Sequence, residues 1–118
     1  MSRHPLRGNL FENLVVIEVF KYRYNRGRRN NLNFWRDAKG NEVDLVIEVG
    51  SDVVPVEIKS GATISEDFFK GLRTFSAKLS TPPSSCALVY GGTEQQQRSE
   101  AGVWRVGDVA EMMEMVSG

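Results

Sequence analysis

The stretch EVDLVIEVGSDVVPVEIK, from Glu42 to Lys59, decides the fold of this chain. Apolar and polar residues alternate in both halves of it, which is the period of two that a half-buried β-strand requires. Gly50-Ser51-Asp52 separates the halves and has the composition of a tight turn, because glycine accepts positive φ angles without strain. We therefore expect two antiparallel strands. Strict alternation would place Val43, Leu45, Ile47 and Val49 on one face of the first strand, and Asp44, Val46 and Glu48 on the other.

The residues before this hairpin predict one more strand and a helix. Leu32 to Asp37 has strand character and is joined to Glu42 by the turn residues Lys39-Gly40-Asn41. Residues 9–24 carry apolar side chains at three- and four-residue steps, the spacing of a buried helix face. The basic and polar run from Arg23 to Asn31 favours an exposed turn between the helix and the sheet.

The residues after the hairpin predict a helix, a buried strand and two smaller elements. A helix is indicated from about Glu66 to Lys78, with Thr63 and Glu66 at the spacing of a capping box. Ser85–Tyr90 is almost continuously apolar, as in a strand that is buried on both faces and parallel to its neighbour. Val103–Val106 would be a final edge strand, and a short helix would close the chain.

The order α, β, β, β, α, β, followed by the smaller strand and helix, predicts a mixed α/β fold. A length of 118 residues, 41% of them hydrophobic, suits one core and not two, so we expect a single domain over residues 1–118.

Composition restricts the function classes. Fifteen basic and fifteen acidic residues give a net charge of zero, so attraction to nucleic acid must be local. The single cysteine, Cys86, lies among apolar residues and is expected to be a buried structural thiol, and His4 is the only histidine, so zinc chemistry is not favoured. No stretch has the roughly 20 apolar residues of a membrane span. We expect a cytoplasmic protein.

The candidate site consists of Asp44, Glu57 and Lys59. Carboxylates on adjacent antiparallel strands can converge on Mg²⁺ or Mn²⁺, hard cations that prefer oxygen ligands, and the carbonyl of Ile58 could be a further ligand. Lys59 projects from the same face as Glu57 and could hold a phosphate or orient a water molecule. The alternative is an ordinary cross-strand ion pair on a solvent-facing strand. The apolar neighbours of both acids favour the metal site, because buried charges need a partner or a cation.

A further acid on the first helix is a candidate for the same site. We prefer Glu12 to Glu18, because six residues on a helix turn a side chain roughly 240° away, so the two cannot serve one site together. A solvent-facing position for Glu12 is the alternative.

Three stretches carry a family resemblance: RGNLFENLVV at 7–16, FWRDAKGNEVDLVI at 34–47 and PVEIKSG at 55–61. With them, the chain resembles the C-terminal domain of unknown function number 4143 of bacterial and archaeal AAA-type ATPases. That domain is similar to the PD-(D/E)XK nuclease superfamily, which has a restriction-endonuclease-like αβββαβ core.

The resemblance has implications for the site and for the rest of the protein. It implies that Asp44, Glu57 and Lys59 occupy the superfamily's signature positions and Glu12 that of its helix acid. It also implies a preceding ATP-binding domain. Since this sequence contains no G-x-x-x-x-G-K-[ST] phosphate loop, we expect it to be the C-terminal part of a longer protein.

These patterns support three hypotheses. The first is a magnesium- or manganese-dependent deoxyribonuclease domain in which Arg26, Arg28, Arg29 and Arg36 contact DNA phosphates, unless those arginines belong to a solvated loop. The second is a catalytically inactive nuclease-fold module that binds DNA or a partner. The third is a structural domain in which Trp35 or Trp104, with Met112, Met113 and Met115, forms a homodimer or interdomain surface.

Overall fold

The computed structural model describes residues 6–25, 32–49, 52–82, 85–99 and 101–117. The elements are α1 (Leu6–Asn25), β1 (Leu32–Arg36), β2 (Glu42–Val49), β3 (Asp52–Lys59), α2 (Lys70–Leu79), β4 (Ala87–Tyr90), β5 (Gln96–Gln97), β6 (Gly102–Arg105) and α3 (Val109–Ser117). Short 3₁₀ helices lead into α2 and α3. The expected α, β, β, β, α, β order and the smaller C-terminal strand and helix are confirmed.

The turn between β1 and β2 is held by the side chain of Asp37. Its Oδ1 accepts hydrogen bonds from the backbone N–H groups of Lys39 and Asn41, each at 2.9 Å. Gly40 has a φ of 90°, a conformation that glycine adopts without a steric penalty. The predicted turn at Lys39-Gly40-Asn41 is confirmed, whereas Asp37, which was assigned to the strand, supplies the side chain that holds it. The turn between β2 and β3 contains Gly50 and Ser51, which lie outside the described residues.

Six strands form one mixed sheet in the order β1-β2-β3-β4-β6-β5. The first three are antiparallel neighbours, β4 runs parallel to β3 and to β6, and β5 pairs antiparallel with β6. The parallel placement of β4 is as expected, because α2 carries the chain from β3 to β4 over one face of the sheet. The expectation that the strand carrying Trp104 lies at the edge is wrong, since β5 covers its outer side.

Each face of the sheet has its own apolar core. On one face α1 and α3 contribute Val15, Val19, Met112 and Met113, which pack on Leu45, Ile47, Val56, Ile58 and Val89. On the other face α2 and the preceding 3₁₀ helix contribute Phe69, Leu72 and Phe75, which pack on Val43, Val46, Leu88 and Val103. The central strands are therefore covered on both sides, and β4 is buried at all four positions.

Two local expectations fail at helix ends. Arg23 does not belong to an exposed turn: α1 continues to Asn25, and Arg23 is buried with its Nη2 donating to the carbonyl oxygen of Glu48 at 3.1 Å. The cap before α2 is Ser65 and not Thr63, because the Ser65 Oγ accepts the Asp67 N–H at 3.2 Å.

Several residues proposed for a partner surface are core residues instead. Trp104, Met112 and Met113 are buried, so they cannot form the exposed partner surface of the third hypothesis, while Met115 is exposed. Cys86 is buried and contacts Ser76 Oγ at 3.2 Å, as expected of a structural thiol.

His4 lies outside the described residues. Among the residues that are described, no helix is both long and apolar enough to cross a membrane.

Candidate metal centre

A β-bulge in β2 creates the local geometry of the candidate site. Asn33 of β1 lies opposite Val46, but Trp35 lies opposite Val43, so Asp44 and Leu45 together face the single residue Phe34. A bulge of this kind reverses which face each later residue occupies. Val43 accordingly packs under α2, whereas Leu45 and Ile47 pack under α1. The expected common face of Val43, Leu45 and Ile47 is therefore wrong at Val43, and the parity of the strand changes at Asp44.

Next to the bulge, two carboxylates join β2 to β3. The paired register of these strands runs from Leu45–Val56 to Val49–Asp52. Beyond it, Asp44 Oδ2 accepts the backbone N–H of Ile58 at 2.8 Å, and Glu57 Oε1 accepts the backbone N–H of Asp44 at 3.3 Å. We call this pair of contacts the carboxylate clasp. It brings Asp44 and Glu57 together across the two strands, as the strand pattern predicted.

Lys59 lies beside the clasp. Its Nζ is 3.5 Å from Glu57 Oε2 and 5.9 Å from the centre of the Phe68 ring. The side chains of Glu57 and Lys59 share a face because these residues are two apart on β3. The neighbouring Val56 and Ile58 pack on the opposite side. The lysine side chain is 38% exposed, so its ammonium group can reach both the buried acid and the solvent.

The charge of Glu57 is strongly controlled by its surroundings. Burial of its carboxyl, and next the negative charge of Asp44, raise the pKa of Glu57 to about 8, while Lys59 acts in the opposite direction. One half-exposed ammonium group therefore does not compensate two adjacent carboxylates. A divalent cation between them would do so, because it favours the ionised form of both acids.

The clasp forms the floor of a cavity of about 310 Å³. Glu12 of α1 lines this cavity together with Asp44, Glu57, Ile58 and Lys59. The structure thus brings together all the residues proposed for catalysis and metal binding. Glu18 lies elsewhere, beside a groove between α1 and the residues that lead into α3, and pairs with Lys21 at 3.4 Å.

The 3₁₀ helix before α2 and the first turn of α2 add three residues to the cavity wall that were not assigned a role from the sequence. Asp67 and Lys70 approach from the start of α2, and Lys70 adds a second cationic group. Gly71 follows, where a Cβ atom would lie 2.1 Å from the carbonyl oxygen of Glu42 and 3.7 Å from Glu57 Oε2. Glycine is therefore what allows α2 to approach the first residue of β2. A glycine within a helical pattern was the available signal.

The donor set fits a hard cation with open coordination positions. Within the described residues, no three carboxylate, histidine or cysteine side chains are gathered closely enough to form a complete cage for a metal ion. Mg²⁺ and Mn²⁺ do not need one, since they are commonly held by one or two carboxylates, with water and substrate oxygens completing the coordination. Asp44, Glu57 and a backbone carbonyl such as that of Ile58 make a set of this kind.

Of the four predicted phosphate-binding arginines, Arg36 lies within the described residues. Arg26, Arg28 and Arg29 lie outside the described residues. Arg36 is on β1, where its half-exposed guanidinium donates from Nη2 to Glu42 Oε2 at 3.0 Å. It lines a second cavity of about 440 Å³ that shares Glu12, Glu42, Asp44 and Ile58 with the first. Arg36 is thus next to the candidate metal centre.

Comparison with known proteins identifies the family without an activity. No curated protein and no solved structure matches the chain. The family described as Domain of unknown function (DUF4143) matches over residues 7–110, which include the whole carboxylate clasp and both cavities. The chain therefore belongs to the DUF4143 family.

Proposed function

We propose that this chain is a metal-dependent phosphodiesterase domain of the PD-(D/E)XK type, with a restriction-endonuclease-like core, that cleaves DNA. The observation that carries the proposal is the carboxylate clasp, in which two acids on adjacent strands meet beside a lysine at the floor of a cavity. The αβββαβ order and the family resemblance support the same assignment.

Each residue of the site has a role that follows from its position. Asp44 and Glu57, with the carbonyl of Ile58, would hold Mg²⁺ or Mn²⁺. The bound ion would neutralise charge on the scissile phosphate and lower the pKa of the attacking water. Lys59 donates to a phosphate oxygen or orients that water, since its Nζ lies between Glu57 and solvent. Glu12 faces the same cavity from α1 and orients the water from the other side.

The test is cleavage of supercoiled plasmid, linear duplex and single-stranded DNA with Mg²⁺ and with Mn²⁺. We expect cleavage that falls by about 100-fold or more in Lys59→Ala and in Asp44→Asn, the scale of losing a positioned catalytic group. Lys21→Ala is the matched control, because this lysine pairs with Glu18 on α1 away from the cavity. Failure of the wild type on every DNA form with both metals would refute the proposal.

Metal binding is tested separately from cleavage. Mn²⁺ should raise the melting temperature of the wild type, because a ligand that binds only the folded state stabilises it. The rise should be lost in Asp44→Asn and kept in Lys21→Ala.

One observation favours a second candidate, an inactive module that binds DNA or a partner. The clasp gives Asp44 and Glu57 a structural task that needs no metal, because their oxygens replace backbone partners at the end of the β2–β3 pairing. This candidate predicts DNA binding that is unchanged by a chelator and no turnover with any metal.

The proposal includes the setting of the domain in a cytoplasmic AAA-type ATPase, to which the resemblance points. In a protein that carries both parts, ATP should change DNA binding or cleavage at the Asp44 site. DNA binding and cleavage that are the same with and without ATP would show that the two activities are not connected.

A further inference from the structure

The cavity that contains Arg36 has a different chemical character from the metal cavity beside it. Its volume is about 440 Å³, and its wall includes the apolar residues Phe34 and Val16. Phe34 is 68% exposed, although it is a large aromatic residue. An exposed aromatic ring in a pocket that adjoins a phosphodiester site is a surface on which a planar group can stack.

The geometry of β1 places an aromatic and a cationic group together at this pocket. Phe34 and Arg36 are two residues apart and therefore project from the same face of the strand, while Trp35 projects from the other face and packs edge-on against Phe75. The Arg36 guanidinium is held by Glu42 at 3.0 Å, which limits the positions it can occupy. Asn13 of α1 adds an amide that can donate and accept hydrogen bonds.

These groups match the chemistry of one nucleotide. A nucleobase stacks on an aromatic ring, an amide can bond to its edge, and a guanidinium pairs with the next phosphate. The pocket is near the lower end of the volume range of small-ligand sites, which suits one nucleotide but not a double helix. In duplex DNA a base must leave the stack before it can enter such a pocket.

We infer that the Phe34–Arg36 pocket binds an unpaired base next to the scissile phosphate, and that the substrate class is single-stranded or unpaired nucleic acid. The inference rests on the proposed nucleic-acid function of the adjacent metal centre. Glu12, Glu42, Asp44 and Ile58 line both cavities, so the two cavities are adjacent and one strand can contact both.

The experiment measures binding without cleavage. A single-stranded oligonucleotide with one 2-aminopurine base, and the same sequence as a duplex, are titrated in chelator with the Asp44→Asn chain. We expect the single strand to bind at least about tenfold more tightly than the duplex, with quenched 2-aminopurine fluorescence from stacking. Phe34→Ala should lose about tenfold in single-strand affinity and lose the quenching, and Phe34→Trp should restore both.

The matched control is Leu79→Ala, which removes another exposed apolar side chain, on α2 and outside the pocket. It should bind as its parent does. Equal or tighter duplex binding, or equal affinities of Phe34→Ala and Leu79→Ala, would overturn the inference. The two proposals fail separately: a strand that binds through Phe34 but is never cleaved removes the hydrolase proposal alone, whereas duplex cleavage that is indifferent to Phe34→Ala removes this inference alone.

Discussion

Burial of the Glu57 carboxyl beside Asp44 raises its pKa to about 8, whereas in the unfolded chain the group ionises near its ordinary value of 4.5. Between these values the native protein keeps a proton that the unfolded chain has lost. The free energy of unfolding of the metal-free protein therefore falls as the pH rises through this window, by at most about 1.4 kcal/mol per pH unit. Urea unfolding at a series of pH values from 5 to 8 measures this slope, and Glu57→Gln should reduce it.

The control for this prediction is Glu66→Gln, since the side chain of Glu66 is 80% exposed. That variant should keep the pH dependence of the wild type. If Glu57→Gln and wild type lose stability in parallel between pH 5 and 8, Glu57 does not carry the unmatched proton.

At the level of single residues, the spacing along one strand was sufficient to predict half of the site. The common face of Glu57 and Lys59 follows from the period of two along one strand, and their ion pair is where that period places it. The convergence of Asp44 on Glu57 was expected from adjacent strands. The contacts that bring the two acids together were not expected, because hydrogen bonds from the Ile58 and Asp44 N–H groups to side-chain oxygens leave no pattern in the sequence.

At the level of elements, the β2 bulge is the feature that sequence could not predict. Alternation fixes the register of a strand only when one of its faces is polar. Here both faces of the sheet are covered by helices, so Val43 and Val46 would pack against apolar residues on either face. The composition of β2 satisfies the bulged and the regular strand equally well. The bulge is recognised only from the pairing with β1.

The contact of α2 with the end of β2 gives a second prediction. A Cβ at position 71 would lie 2.1 Å from the backbone carbonyl oxygen of Glu42, so Gly71→Ala forces the helix or the strand to move. Overpacking costs about 1–3 kcal/mol, and the gain of about 1 kcal/mol from alanine's better helix propensity offsets only part of it. We expect a net loss in the free energy of unfolding, measured by urea denaturation.

Gly107→Ala is the matched control for Gly71→Ala. Gly107 lies in the 3₁₀ helix before α3, and a Cβ there meets no atom within 4 Å. The free energy of unfolding of Gly107→Ala should differ from that of the wild type by less than about 1 kcal/mol in either direction. Equal effects of the two alanine variants would show that the close approach at Glu42 is not what requires glycine.

At the scale of the whole molecule, α1 is apolar on two opposite sides. Val15 and Val19 face the sheet and are fully buried. A second set faces outward and is between 46% and 72% exposed: Leu10, Leu14, Ile17, Phe20 and Tyr24. The apolar spacing of this helix was recognised in the sequence, but a helix with apolar residues on two opposite sides does not reveal which side meets the core. An outward apolar face of this length is typical of an interface.

The apolar residues of the outward face are spaced symmetrically along the helix. Its residues are spaced four, three, three and four apart, so the set is symmetric about Ile17, and all five lie within about 60° of one line along the helix. When two copies pair antiparallel about a two-fold axis at Ile17, Leu10 lies at the height of Tyr24 of the second copy, and Leu14 at the height of Phe20. A two-fold interface brings the same patch of both copies together. Asn13 and Lys21 also lie within this face, and Lys21 is paired with Glu18 at 3.4 Å.

We therefore expect a homodimer through α1, and not through the tryptophan and methionine residues that the sequence had suggested. Five apolar side chains from each copy along a helix of about 30 Å correspond to a contact at the lower end of specific interfaces, about 1,200 Å² in total.

The mass from sedimentation velocity should rise from monomer to dimer with concentration. Ile17→Glu places two like charges at the two-fold axis and should leave a folded monomer, while Glu66→Gln, on the opposite side of the sheet, should still dimerise. A wild type that stays monomeric at the highest soluble concentration would contradict this assignment, and the outward face of α1 would then be free for a different partner.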